Sequence, residues 1–591
     1  MMEDSHVRGA GRLALVHALA AGALLAWCAL ASPAAAHGND QREEHKRVFD
    51  RTVNWPAGAR VCVDHSHGSV TLRTHPQAQV QVHADIRVSA ESLQEAEEFS
   101  KSIEIQVEET AASICVRTRY PESGRRRNFS FSVNYEITLP EKAPLDVRNR
   151  FGSVSATGLS TASQIVNAHG RVTFTDSRGN HRIENQFGAI EITNAAGDLD
   201  VTGSNGAVTV SDARGALLLR NRFGRVTLAR LGRAEVRNSN GAVELIGAES
   251  ASLTNSFGSV TARDIRGNLT VRNENGRVEV EQVQGEADLH TTFGNLSFRD
   301  VKQRVVARNN NGAISGSLVG GTVTIRGGFG RVEISDVTGY AEVENSNGNI
   351  TARNLKAGAK LATSFGSIEA TDITGDATVG TSNGRIVLRN VTGAASVSNS
   401  FGRVEAYTIG KGARILSGNG PVLAGDIGGE LFVKTSFGSV TAERVNGPLT
   451  VENSNASVQA SGINGAASVR TSFGGVILSD VAGAINVDNQ NGAVEISGVP
   501  AGACRPITVG TSFSPVRVYL PADAAYDVTA STSFGRIRSD FPLTLSTGAQ
   551  LGGGGTSSVS ITSKIGVGGC ALRLTNQNGN IEILQGAPAR K

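Results

Sequence analysis

The chain has 591 residues with 70 Gly and 14 Pro, 5% aromatic and 19% charged side chains, and a formal net charge of +3. Glycine this frequent beside so little proline excludes collagen and Pro-rich linkers, and so small a net charge excludes a strongly basic nucleic-acid binder. Length alone would give about four globular domains, but the glycines call for a search for a period first.

Residues 1–36 read as a signal peptide. An apolar stretch at 13–30 follows Arg8 and Arg12 and ends in Ala34-Ala35-Ala36 before His37, the pattern of a cleaved secretory leader. Bulky Trp27 before Cys28 speaks against a lipoprotein signal. No later apolar run approaches the ~18 residues of a span, so the expectation is an exported chain with no transmembrane segment after cleavage.

Residues 37–145 break any period and form a strand-rich N-terminal cap. Strands are expected at 60–74, 79–88, 102–109 and 132–140. One short helix is expected at 91–102, with Leu93, Ala96, Phe99 and Ile103 inward and Ser92 and Glu95 at capping-box spacing. An open stack of strands needs such a cap, because bare edges invite aggregation. His65, His67, His75 and His83 cluster here without a carboxylate or Cys set to make them a metal site, and read as solvated strand histidines. Arg125-Arg126-Arg127 reads as a hairpin loop.

Residues 146–500 carry the repeat. Phe-Gly recurs from Phe151 through Phe187, Phe223, Phe257, Phe293, Phe329, Phe365, Phe401, Phe437 and Phe473, and a second series, mostly Asn-Gly, lies halfway between. Interleaved, they make twenty units of about 18 residues. Three positions after each Phe or Asn, all twenty residues are Val, Ile or Leu; four positions before, nineteen of twenty are. Polar and apolar residues alternate between these anchors, which is a strand signal. One unit buries nothing by itself, so a chain of hairpins is rejected in favour of stacking. The fold class is all-β: a parallel β-helix with one unit per coil and three walls, two long and one short. At ~4.8 Å per coil, twenty coils would be about 95 Å long. Glycines fall at the corners, and Asn two positions before the Phe or Asn would form an inward amide ladder. Residues 501–591 are further coils and a C-terminal cap, with GGGG at 552–555 and LTNQNGNIEIL at 574–584 repeating the unit.

Four cysteines follow the leader: Cys62, Cys115, Cys504 and Cys570. They allow three pairings, of which 62–115 and 504–570 are favoured as terminal staples, with buried free thiols as the alternative.

HGSVTLRT at 67–74, the helix, RTRYPESG and VNYEITLP, and the many NSNGxVxV and SFGxVxA units resemble the bacterial putative-adhesin β-helix family. The resemblance covers nearly all of the mature chain. It implies surface attachment and brings no catalytic residues.

Some parallel β-helices are polysaccharide lyases or hydrolases, so the acids were weighed as well. Asp176, Asp212, Asp264, Asp300, Asp336, Asp372 and Asp480 share one place in the unit. Those two coils apart, at about 9.6 Å, are too distant to share a calcium ion and only marginally reach inverting-pair spacing. All but Asp300 precede a Gly by three, and they read as type I turn residues. The sequence therefore predicts a non-catalytic exported solenoid acting as adhesin or envelope scaffold in the periplasm or at the cell surface. A carbohydrate-active β-helix enzyme is the alternative. No cofactor, metal or nucleic acid is expected. Surface glycans or envelope proteins are the expected partners, and the Phe series from Phe187 to Phe473 is the candidate contact ridge, with sealing of the corners as its structural alternative.

Overall fold

The computed structural model describes residues 42–121, 129–543 and 558–588. The expected leader at 1–36, Arg125–Arg127 and the glycine run at 552–555 lie outside them. The architecture is a parallel β-solenoid of about 21 turns with about 18 residues per turn. One coil illustrates all of them. Ala341–Asn347 forms the first wall, a glycine corner follows, and Ile350–Leu355 forms the second. Each strand pairs in parallel with its equivalent one coil on, Asn345 with Thr363 and Ile350 with Ile368. Inward residues at alternate positions are buried throughout, so Val, Ile, Leu and Ala columns make one continuous core.

Two devices turn the corners. Gly348 has φ of +141°, and a Cβ there would run into the Gly330 carbonyl of the coil beneath. Only glycine permits that approach. Farther on, the Asp column adopts the left-handed conformation: φ is 56° at Asp336 and 60° at Asp372. The glycine three residues on bonds across coils and does not close a hydrogen-bonded turn back to the Asp. Gly339 N–H donates to Gly321 O in the neighbouring coil, at 3.2 Å. Asp and Asn fill this column because they tolerate positive φ better than other non-glycine residues.

The inward amide ladder is present. Asn345 Nδ2 donates to Gly330 O at 2.8 Å and Gly348 O at 3.2 Å, and so ties two corners together. Where amides are adjacent they also bond to each other, as Asn238 Nδ2 does to Asn255 Oδ1 at 2.9 Å.

The parallel stacking runs past both ends of the regular array. Below it, β1 (Glu43–Asn54), β2 (Arg60–His67), β3 (Val70–His75), β4 (Gln79–Ala90), α1 (Leu93–Ser102), β5 (Glu104–Glu109), β6 (Ser113–Arg119) and β7 (Ser130–Pro140) precede β8 (Leu145–Phe151) and β9 (Val154–Thr157). β2 and β3 form a full coil beneath β8 and β9, and β6 and β7 form another beneath that. The strands either side of Arg125–Arg127 thus lie on different walls and do not pair as a hairpin. β4 and β1 close one wall antiparallel, and β5 closes the other. Glu104, Glu108 and Glu109 on β5 put charge on an edge strand, which discourages further pairing. Ser92 Oγ accepts from Glu95 N–H at 3.3 Å, as its spacing implied. Leu93, expected inward on the helix, is 50% exposed, whereas Ala96 and Ile103 are buried.

At the other end, chain order and spatial order differ. The coil of Ile507–Phe513 and Val516–Leu520 pairs with Ala571–Asn578 and Ile581–Gln585, and these in turn pair in parallel with Tyr526–Thr532 and Ile537–Ser539. The 571–585 coil is therefore inserted between two earlier ones, and Val559–Ile565 closes the edge antiparallel. Cys62 stands opposite Cys115 and is bonded to it; Cys504 is bonded to Cys570. Both expected pairings form, one in each cap.

Candidate functional site: an aromatic ridge

The residue before each corner glycine points outward. In spatial order this column begins His67, Phe151, His169, Phe187, Asn205 and Phe223, and continues as strict Phe–Asn alternation to Phe513, Asn578 and Phe534. Its rings are 44% exposed at Phe151 and 61% at Phe329 and Phe437. They stand half exposed over corners whose inner side is lined by the Asn ladder and the glycines. Phe187, Phe223, Phe257, Phe293, Phe329, Phe365, Phe401, Phe437 and Phe473 all stand in this line.

Ring orientation is fixed at the first coils. Phe151 and His169 stack with centroids 4.9 Å apart and planes 12° apart; His169 and Phe187 stack at 4.7 Å and 3°. These three rings thus lie face to face along the solenoid axis. His67 continues the stack to Phe151 at 5.5 Å and meets Tyr120 and Phe131 in the cap, each at 4.9 Å. From Asn205 onward the intervening residue is an amide; Asn205 Nδ2 donates to Gln186 O, Asn240 Nδ2 to Arg222 O and Asn275 Nδ2 to Ser256 O, which holds these three low against the coil below. Each amide of the column separates two half-exposed Phe about 9.6 Å apart, and the gap over it is a slot.

The cap histidines depart from expectation. His65 is buried, not solvated, at 2% exposure. It stands beneath Asn149 at the foot of the amide ladder, Nδ1 lies 3.0 Å from Thr118 Oγ1, and burial lowers its pKa to about 4. The signal was available: His67-Gly68 with Val63 and Val70 has the repeat spacing, which puts His65 in the Asn column. His181 replaces an aliphatic residue in the core, is paired to Ser163 Oγ at 2.8 Å, and is likewise lowered by burial to about 4. This Ser–His pair lacks an acid to orient the ring, and His181 Nε2 has no partner. No group of three metal-ligating side chains occurs among the described residues.

The Asp column forms ladders across coils. Asn354 Nδ2 bonds Asp336 at 2.6 Å, and the Arg230 guanidinium grips Asp212 at 2.6 and 2.7 Å. These partners hold both carboxyls below the ordinary range. Glu405 is buried on the second wall. Burial raises its pKa, but Arg385 at 2.7 Å, Arg403 at 2.7 Å and Arg389 at 3.5 Å together bring it below the usual value. A dent of about 540 Å³ on the same wall is lined by Glu279, Glu281, Arg299, Ser315, Glu333 and Arg353. Phe298 and Gly316 are also among its lining residues, and a Cβ at Gly316 would collide with the inward ring of Phe298. Its two nearest carboxylates, Glu279 and Glu281, are both bound to Arg263, at 2.7 and 3.2 Å. No helix among the described residues is long and apolar enough to cross a membrane.

No family model matches the chain, and no curated protein matches it. Two solved structures are similar. One is a putative cell adhesion protein from Clostridium sporogenes, 11% identical, covering 39% of this chain and 100% of its own, with a TM-score of 0.14. The other is a putative adhesin from Bacteroides fragilis, 15% identical, covering 51% of this chain and 97% of its own, with a TM-score of 0.15. Their names agree with the resemblance read from the sequence, but likeness at that level adds nothing to the reading of the site.

Proposed function

We infer that this chain is a non-catalytic, exported β-solenoid that serves as an adhesin or cell-envelope scaffold, with the aromatic ridge as its contact edge. The observation that carries this is the single file of half-exposed Phe rings along the whole axis. A soluble protein rarely leaves so much contiguous aromatic surface bare without a partner to cover it. The two disulfides fit an oxidising compartment, periplasmic or extracellular. The acids read as structural because those of the dent, and Asp176, Asp212, Asp300, Asp336 and Asp372 at the corners, are bound to Arg, Asn or Lys neighbours. Surface glycans and envelope proteins are the partner classes that such an edge would meet.

The test replaces Phe257, Phe293, Phe329 and Phe365 by Ser. Attachment of beads coated with the protein to cell surfaces should fall while the melting temperature stays within a few degrees. Intact attachment together with a large fall in melting temperature would return the rings to a structural role.

A further inference from the structure

We propose that the ridge is self-complementary and that its occupant is the same ridge on a second, antiparallel copy of this chain, each Phe entering a slot over an Asn. This rests on reading the ridge as the contact edge and names what fills it.

His169 shows what a slot accepts. It fills the gap between Phe151 and Phe187 and stacks on both rings, at 4.9 and 4.7 Å. From Asn205 to Phe473 the corresponding gaps hold a short amide between Phe residues that are 46–61% exposed. A ring delivered from outside would find the place that His169 occupies in its own coil. To fill successive slots the rings must come every two coils, about 9.6 Å apart. A second copy has that spacing by construction.

The alternation also has the parity that pairing needs. Between Asn205 and Phe473 lie eight Asn and eight Phe in strict turn. A two-fold axis at the midpoint, between Phe329 and Asn347, carries every Phe onto an Asn. Phe329 then enters the slot over the second copy's Asn347, and Phe223 the slot over its Asn455. Such a contact is isologous and closes as a dimer.

Area and charge agree with this. A half-exposed Phe offers roughly 100 Å², so eight offer about 800 Å² per copy, the share each partner gives to a standard stable interface. The residues preceding the ring or amide in the later coils are uncharged, as Ser346, Ser364, Ser382 and Ser400. The early coils carry Arg222 and Glu274 at this place. Antiparallel pairing sets both against the serine flank, and on the other flank it sets Arg277 near Arg403, a contact that salt would ease. Packing within one chain does not call for the alternation, since adjacent rings stack well where His169 allows it.

The experiment uses the disulfide-intact mature chain. Light scattering after size exclusion should give a dimer at micromolar concentration, and Phe329→Ser with Phe365→Ser should weaken it about tenfold or more with circular dichroism unchanged. Asn347→Cys should cross-link between copies with a short bis-maleimide. Asn419→Cys should not, because antiparallel pairing holds two such residues about 43 Å apart. A monomer at all concentrations, a dimer indifferent to the Ser substitutions, or equal cross-linking at both positions would each overturn the proposal. If the chain is monomeric while cell attachment still depends on the ridge, the pairing falls and the contact edge stands. If attachment is indifferent to the ridge as well, both fall.

Discussion

Asn578 sits on Phe513 in the ridge, and Phe534, which comes between them in the chain, sits on Asn578. Sequence order would place two Phe in succession. Insertion of the 571–585 coil restores the alternation of ring and amide to the tip. The same insertion makes the late coil the floor of an earlier one. Leu574 is buried there between Val509 and Ala530. Leu574→Ala should cost about 2–5 kcal/mol, and hydrogen exchange should rise across 526–539 as well as 571–585. Protection lost only within 571–585 would contradict the interleaving.

The left-handed corners predict a gain as well as a loss. Leu318 holds φ of 57° with its side chain 42% exposed. Leu318→Asn should stabilise the chain by about 1 kcal/mol, and Asp336→Val should destabilise it by roughly 1–2 kcal/mol or more. Urea denaturation of the two variants beside the parent checks the opposite signs.

The amide ladder should be costly to interrupt. Asn345→Ala leaves the Gly330 and Gly348 carbonyls without their donor and should cost about 1–3 kcal/mol. Because each coil touches only its neighbours, exchange should quicken around 330–348 and leave distant coils unchanged.

Acid should loosen the N-terminal cap first. His65 is neutral in the fold, with its pKa lowered from 6.5 to about 4. The unfolded chain binds a proton that the fold does not between those values, so stability is full above about 6.5 and falls as pH drops towards 4. The lost stabilisation is on the order of 3 kcal/mol. His65→Gln should flatten that slope in the melting of the cap; an unchanged slope would assign it to other groups.

Reduction should act at the ends. Cys504→Ser with Cys570→Ser opens a link across 66 residues and should cost about 2–4 kcal/mol. Limited proteolysis should then cut at 500–590 before it touches the regular coils.

Much of this was legible in the sequence, because a solenoid writes its geometry in one dimension. The 18-residue spacing of Val154, Val172 and their successors set the coil, and the paired terminal cysteines foretold the staples. His65 escaped because its coil lies outside the long array, although His67-Gly68 keeps the repeat's spacing. The Asp corner was placed correctly but not its hydrogen bonding, since Asp begins type I turns and also tolerates left-handed backbone; neighbouring-coil hydrogen bonds decide between them. Interleaving of 571–585 left one trace, the succession of Phe513 and Phe534 without an amide between. The stacking of Phe151, His169 and Phe187 had no trace at all, because it depends on side-chain torsions.

Phe298 under Gly316 bears on how such a chain can change length. Near-identical repeats are prone to gain or lose units by unequal recombination, and most coils here would tolerate that. Removing the single unit that contains Gly316 would bring the Phe298 ring against Ile334, the next residue in its column. The same event would set two Phe side by side on the ridge. The core accepts Ile beside a ring, since Phe174 already lies beside Ile192 in the same column, so it is the ridge that limits a lineage of this protein to gaining or losing units in pairs.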